Sequence, residues 1–147
     1  MKPNLAEECT GFLVAQAYRK IIHLLYQRFK EYDITPEQWS VLYRTARMEG
    51  INQKELAART AKDQPTITRI LDALIKKGWI EKRMSSTDRR AYLVYITEAG
   101  RAVVEQAAPI ERGVMDDVTA GIGSEQLKLL RETLVRISEN ADQQMEE

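Results

Sequence analysis

Two short stretches of the sequence hold side chains suited to reading a DNA duplex. The first is Gln64-Pro65-Thr66-Ile67-Thr68-Arg69. Glutamine can bond adenine N6 and N7, arginine can fork onto guanine O6 and N7, and a threonine methyl can meet a thymine methyl. The second is Asp88-Arg89-Arg90, which ends the polar run 85–90. Arginines at the tip of a turn suit a narrow minor groove, where negative potential concentrates. Asp88 alone would oppose an anion. Its expected work is to hold a neighbouring guanidinium by a charge-assisted hydrogen bond, which fixes a flexible side chain.

Taken singly, each of these residues is also an ordinary cap or surface residue. Their setting adds weight. The chain of 147 residues carries 22 basic and 22 acidic side chains, so its net charge is zero. The charges are not spread evenly. Residues 52–101 hold 11 basic and 6 acidic side chains, whereas residues 102–147 hold 4 basic and 10 acidic. A basic middle in a neutral chain marks a surface for an anionic partner, with double-stranded DNA the leading candidate over a merely solvated charged face.

Other chemistries lack their parts. A single cysteine, Cys9, excludes an internal disulfide and a multi-cysteine zinc site. A single histidine, His23, leaves out the usual histidine-based metal and triad sites. There is no phosphate-binding glycine loop and no nucleophile–base pairing, so neither an enzyme nor a cofactor is expected. The longest apolar run is six residues, 91–96, far short of the roughly 20 that a membrane helix needs. The opening Met1-Lys2-Pro3-Asn4 has no secretory character, so the cytoplasm is the expected compartment.

The elements that must position the two stretches are legible from periodicity. Residues 5–32 read as a long amphipathic helix, with Phe12, Ala15, Tyr18, Ile22, Leu25 and Phe29 on one side and His23 on a polar face. Thr35 and Gln38 form a capping box before Trp39, Leu42 and Tyr43. Asn52 and Glu55 open a short helix, and Asp63 caps a longer one that runs to about Lys77, with Asp72 and Lys76 as an expected ion pair. Gly78 stops it. Residues 79–84 and 91–97 then read as two strands around the polar turn. Thr97 is expected to cap a helix to about Thr119, and Ser124 to cap a last one. The expected fold is mainly α with a small β-hairpin wing. Its middle, residues 35–97, is a winged helix-turn-helix unit. Residues 1–34 and 98–147 carry apolar stripes that this unit cannot cover, so they are expected to pair across a twofold axis as dimerisation helices.

The run from Thr66 to Arg83, Thr-Ile-Thr-Arg-Ile-Leu-Asp-Ala-Leu-Ile-Lys-Lys-Gly-Trp-Ile-Glu-Lys-Arg, resembles the MarR family of transcriptional regulators. A second block strengthens the resemblance: Asp88-Arg89-Arg90 followed, after six strand residues, by Thr97-Glu98-Ala99-Gly100. The resemblance implies a homodimeric repressor on a pseudo-palindromic operator, with Arg90 in the minor groove and Asp88 as its brace. It also implies release by a small aromatic or phenolic effector, held where the long helices meet the DNA-binding unit. Tyr18, Arg19, Tyr26, Trp39 and Tyr43 are the candidate residues, although aromatics of this kind also serve as plain core.

The peroxide-sensing branch of that family keeps a reactive cysteine near the start of the first long helix. Counting back from Ile34-Thr35, that position falls nearer Gly11 than Cys9, and the branch's two activating tyrosines fall near Leu25 and Pro36. Glu7 and Glu8 also oppose a thiolate at Cys9. Redox sensing through Cys9 is therefore the alternative, not the leading expectation. A winged-helix protein-interaction module without DNA binding is the other.

Overall fold

The computed structural model describes Asn4 and residues 7–146, which form two compact units that divide between Met115 and Asp116. The elements run α1 (Thr10–Phe29), a 3-10 turn (Lys30–Tyr32), α2 (Pro36–Arg47), β1 (Ile51–Asn52), α3 (Gln53–Arg59), α4 (Gln64–Lys76), β2 (Ile80–Met84), β3 (Tyr92–Ile96), α5 (Glu98–Val118) and α6 (Ser124–Glu146). The first helix is shorter than the periodicity implied. It begins at Thr10, after a bend at residues 7–9, and its last turn tightens to 3-10 before Asp33 turns left-handed at φ 53°. Residues 5 and 6 of the expected helix lie outside the described residues.

In the first unit, α2 starts where the sequence says it must. Thr35 Oγ1 accepts the Gln38 N–H at 3.1 Å, and the Thr35 N–H reaches Gln38 Oε1 at 3.3 Å. Asn52 and Asp63 each cap a helix through a side-chain oxygen, accepting from Glu55 N and Thr66 N at 2.8 Å. The core gathers Leu25, Phe29, Trp39, Val41, Leu42, Leu56, Ile67, Ile70, Leu71, Leu74, Ile80 and Val94, with Ala107 and Val114 of α5. Each large side chain among them contributes about 1.5–3 kcal/mol by leaving water. A surface ion pair is worth about 0–1 kcal/mol, so apolar burial sets the fold. Thr45, buried in α2, satisfies its hydroxyl on Val41 O at 2.8 Å.

The wing is a three-stranded sheet, not a lone hairpin. β2 and β3 pair antiparallel from Ile80↔Ile96 to Met84↔Tyr92, and β1 adds Ile51↔Val94 on the other side of β3. Two residues of strand before α3 are too short for periodicity to reveal. Their pairing ties the start of the helix-turn-helix to the wing.

Two glycines of the signature have steric reasons. Gly78 takes φ 78° directly after α4, a conformation that side chains disfavour. Gly100 sits in the first turn of α5, where an added Cβ would lie 2.2 Å from the carbonyl oxygen of Trp79. Thr97 locks this junction by donating to Gly78 O at 2.6 Å and accepting from Gly100 N at 3.1 Å. The expected Asp72–Lys76 pair is not formed. Asp72 instead meets Lys82 of β2 at 4.0 Å, because the strand packed beside α4 offers a cation across the element boundary.

The second unit comprises the end of α5, the turn at residues 119–123 and α6. Ser124 is the first helical residue of α6 and not its cap. The first intrahelical bond, from Leu127 N, goes to Gly123 O. Within α6, Leu129, Leu130, Leu134, Val135 and Ile137 are all exposed.

Candidate nucleic-acid interface

The turn between α3 and α4 is tight. Ala61 turns left-handed at φ 53°, and Asp63 then caps α4. The Thr66 hydrogen bond holds the Asp63 carboxyl below its ordinary pKa. In the first turn of α4, Gln64 and Pro65 are exposed and Thr66 is half-buried; one turn on, Arg69 is exposed. Ile67, Ile70, Leu71 and Leu74 take the opposite face into the core. The residues expected to read bases therefore share the outward face.

Their side chains are not equally free. Thr68 Oγ1 donates to Gln64 O at 2.9 Å and is also in contact with Gln53 Nε2, which donates to it at 2.6 Å. With its hydroxyl engaged on both sides, Thr68 leaves chiefly its methyl group open to a partner. Arg69 donates from Nη2 to Glu37 Oε2 of α2 at 3.2 Å. Gln53 and Glu37 are functional candidates that sequence reasoning missed. They lie 15 and 32 residues from their partners. No local spacing rule links residues so far apart.

The tip of the wing is a web of short-range bonds. Ser85 Oγ accepts from Thr87 N and Asp88 N at 3.3 Å each, and Ala91 N donates to Asp88 O at 3.1 Å. Asp88 Oδ1 accepts the backbone N–H of Arg90 at 2.9 Å. The expected brace from Asp88 to a guanidinium is thus replaced by one to the main chain, because the turn places the nearest donor two residues on. Arg89 and Arg90 are exposed, and among the described residues no ion pair engages either guanidinium. Behind the tip, Asn52, Gln53, Lys54, Asp88, Arg90, Ala91 and Tyr92 line a concavity of about 420 Å³ between the start of α3 and the wing. On β2, Arg83 is fixed by Glu81, which raises its pKa further, and lies 4.1 Å over the Tyr95 ring.

Of the candidate effector residues, Trp39 and Tyr43 lie together, and Tyr18, Arg19 and Tyr26 lie on the exposed side of α1. Trp39 is buried, packs at 5.7 Å on Phe29 and 5.3 Å on Tyr43, and donates from Nε1 to Glu111 Oε2 at 2.7 Å. Cys9 is exposed just before α1 and makes no side-chain cap. His23 faces solvent and contacts Gln27 at 3.2 Å, in keeping with a polar face. Among the described residues, no group of three or more His, Cys, Asp or Glu is placed to hold a metal, and no helix is long and apolar enough to cross a membrane.

A braced second helix with an outward polar end, followed by a basic β-wing, defines a winged helix-turn-helix protein. The sequence matches the model of the MarR family over residues 32–91. The fold is similar to a mutant of MarR from E. coli complexed with operator DNA, with 28% identity and a TM-score of 0.81, covering 86% of this chain and 91% of that one. It is also similar to the repressor CouR bound to a 23-mer DNA duplex, with 26% identity, a TM-score of 0.83 and coverage of 94% and 98%. A protein from Listeria innocua Clip11262 of unknown function is 35% identical, with a TM-score of 0.68 over 88% of this chain and 91% of that one. The match over residues 32–91 is to the MarR family, and the fold of the chain is that of MarR-family winged helix-turn-helix transcription regulators.

Proposed function

We propose that this protein is a homodimeric, sequence-specific DNA-binding repressor that binds a pseudo-palindromic operator and is released by a small aromatic or phenolic effector. One observation carries the DNA-binding part: one unit presents the start of α4, with Gln64 and Arg69 exposed, and a wing whose Arg89 and Arg90, among the described residues, engage in no ion pair. The helix end suits a major groove, and the arginines suit the adjoining minor groove. Support for a dimer comes from the apolar residues left in water on α1 and α6, such as Phe12, Leu130 and Leu134. Residues 1–34 and 98–147 would serve as the dimerisation segments around a DNA-binding unit at 35–97. The effector class rests on the family resemblance, with Trp39 and Tyr43 the aromatic residues that lie together.

Selection from a randomised duplex library, followed by footprinting, tests this. The expected product is an inverted repeat with half-site centres about one helical turn, roughly 10 bp, apart. A monomeric protein protecting a single asymmetric site, or no salt-sensitive binding to duplex at all, overturns it. Screening aromatic carboxylates and phenols for release from the selected duplex tests the effector part separately.

A further inference from the structure

We propose that Glu37 is a specificity-determining residue of the DNA-reading surface. It fixes the guanidinium of Arg69 for one guanine and penalises duplexes that do not offer one. This rests on the DNA-binding reading above.

Glu37 is the second residue of α2, and its Oε2 accepts from Arg69 Nη2 at 3.2 Å across the helix-turn-helix. The carboxylate projects from a firmly seated helix end. Pro36 and Trp39 on either side are buried, Thr35 and Gln38 close the capping box, and Lys77 of the α4 cap donates to Gln38 Oε1 at 3.0 Å. The bond to Glu37 uses one nitrogen of the guanidinium. Arginine carries five N–H donors in a planar fork, so a second edge remains for guanine O6 and N7.

The pair is not there for stability. Its side chains are 64% and 52% exposed, where water and salt screen the attraction. Its effect comes at association, and it is twofold. An arginine already held has fewer rotamers to lose when it meets a base. A carboxylate brought up to the phosphates costs binding on every sequence, and only a duplex that gives Arg69 its guanine recovers that cost. Discrimination by such a built-in penalty is a general route to specificity.

The test uses the full chain. Wild type, Glu37→Gln, Glu37→Asp, Arg69→Ala and the double variant Glu37→Gln/Arg69→Ala are titrated by fluorescence anisotropy on two probes. One is a duplex selected with the wild type from a randomised library, and the other is a random-sequence duplex of equal length. Glu37→Gln is expected to bind the random duplex more tightly, while its selected-over-random ratio falls roughly five- to tenfold, part of what an arginine–guanine fork supplies. Glu37→Asp keeps the charge but is one methylene short of Arg69, so its ratio falls as well. With Arg69 already removed, Glu37→Gln strengthens both probes alike and leaves the ratio unchanged. An unchanged ratio in Glu37→Gln, or the same fall with and without Arg69, overturns the assignment while leaving DNA binding intact. A wild type that selects no sequence overturns the DNA-binding reading itself, and Glu37's role with it.

Discussion

Asp88 holds the backbone of Arg90 and not its guanidinium: Oδ1 accepts the Arg90 N–H at 2.9 Å. The carboxylate thereby shapes the turn from which two arginines project. On the DNA-binding reading proposed above, this accounts for an acid on the same loop as two arginines. A neutral acceptor of the same shape should do the work equally well.

Asp88→Asn is therefore expected to bind duplex DNA as tightly as the wild type or more tightly, because it keeps the acceptor and loses the repulsion. Asp88→Ala should bind more weakly, because the turn must then be ordered on association. Arg90→Ala should lower the salt slope by roughly 0.9 per subunit. Anisotropy across a salt series measures all three. Tighter binding by Asp88→Ala would reduce Asp88 to a plain surface charge.

Gln53 and Thr68 join the two helices of the reading unit at 2.6 Å. Removing both partners together, as Gln53→Leu with Thr68→Val, should cost less than the sum of the single changes. The coupling should be about 0.5–1.5 kcal/mol, the usual net worth of one such bond. Urea unfolding of the four proteins gives this number. Strict additivity would show that the bond does not couple α3 to α4.

Leu130 and Leu134 of α6 are 48% and 38% exposed. Leu130→Glu with Leu134→Glu should yield a monomer by sedimentation equilibrium and lose tight operator binding, because two half-sites must be engaged together. A dimer that survives both changes would place the interface elsewhere.

Asp63 caps α4, and the hydrogen bond from Thr66 lowers its pKa. A lowered folded value means that the cap's contribution is fully present above the unfolded carboxylate pKa. It is lost as the pH falls through the folded value. Asparagine caps without titrating. The stability difference between wild type and Asp63→Asn should therefore shift against the wild type from roughly pH 6 to pH 3. A difference constant over that range would mean that the Asp63 cap does not titrate with folding.

Much of the first unit was legible because its signals are local. Capping residues sit three positions from the N–H groups they bond, as Thr35, Asn52 and Asp63 do. The apolar stripe of α4 repeats at helical spacing, and Ile67, Ile70, Leu71 and Leu74 are buried accordingly. The outward end of α4 and the basic wing follow from the same periodicity. What the sequence could not disclose are contacts between residues distant along the chain. The third strand, Ile51–Asn52, exists only because β3 lies beside it. Gly100 is required because the carbonyl of Trp79 approaches its α-carbon. Asp72 exchanges its helical neighbour Lys76 for Lys82 of an adjacent strand. Arg69 was legible as a candidate for base reading from its type and place on the helix. Its partner Glu37 was not, because only the packing of α2 against α4 brings that carboxylate within hydrogen-bonding reach. Local spacing thus determined the elements and their outward faces. Packing between elements decided which polar side chains are left free to meet a ligand.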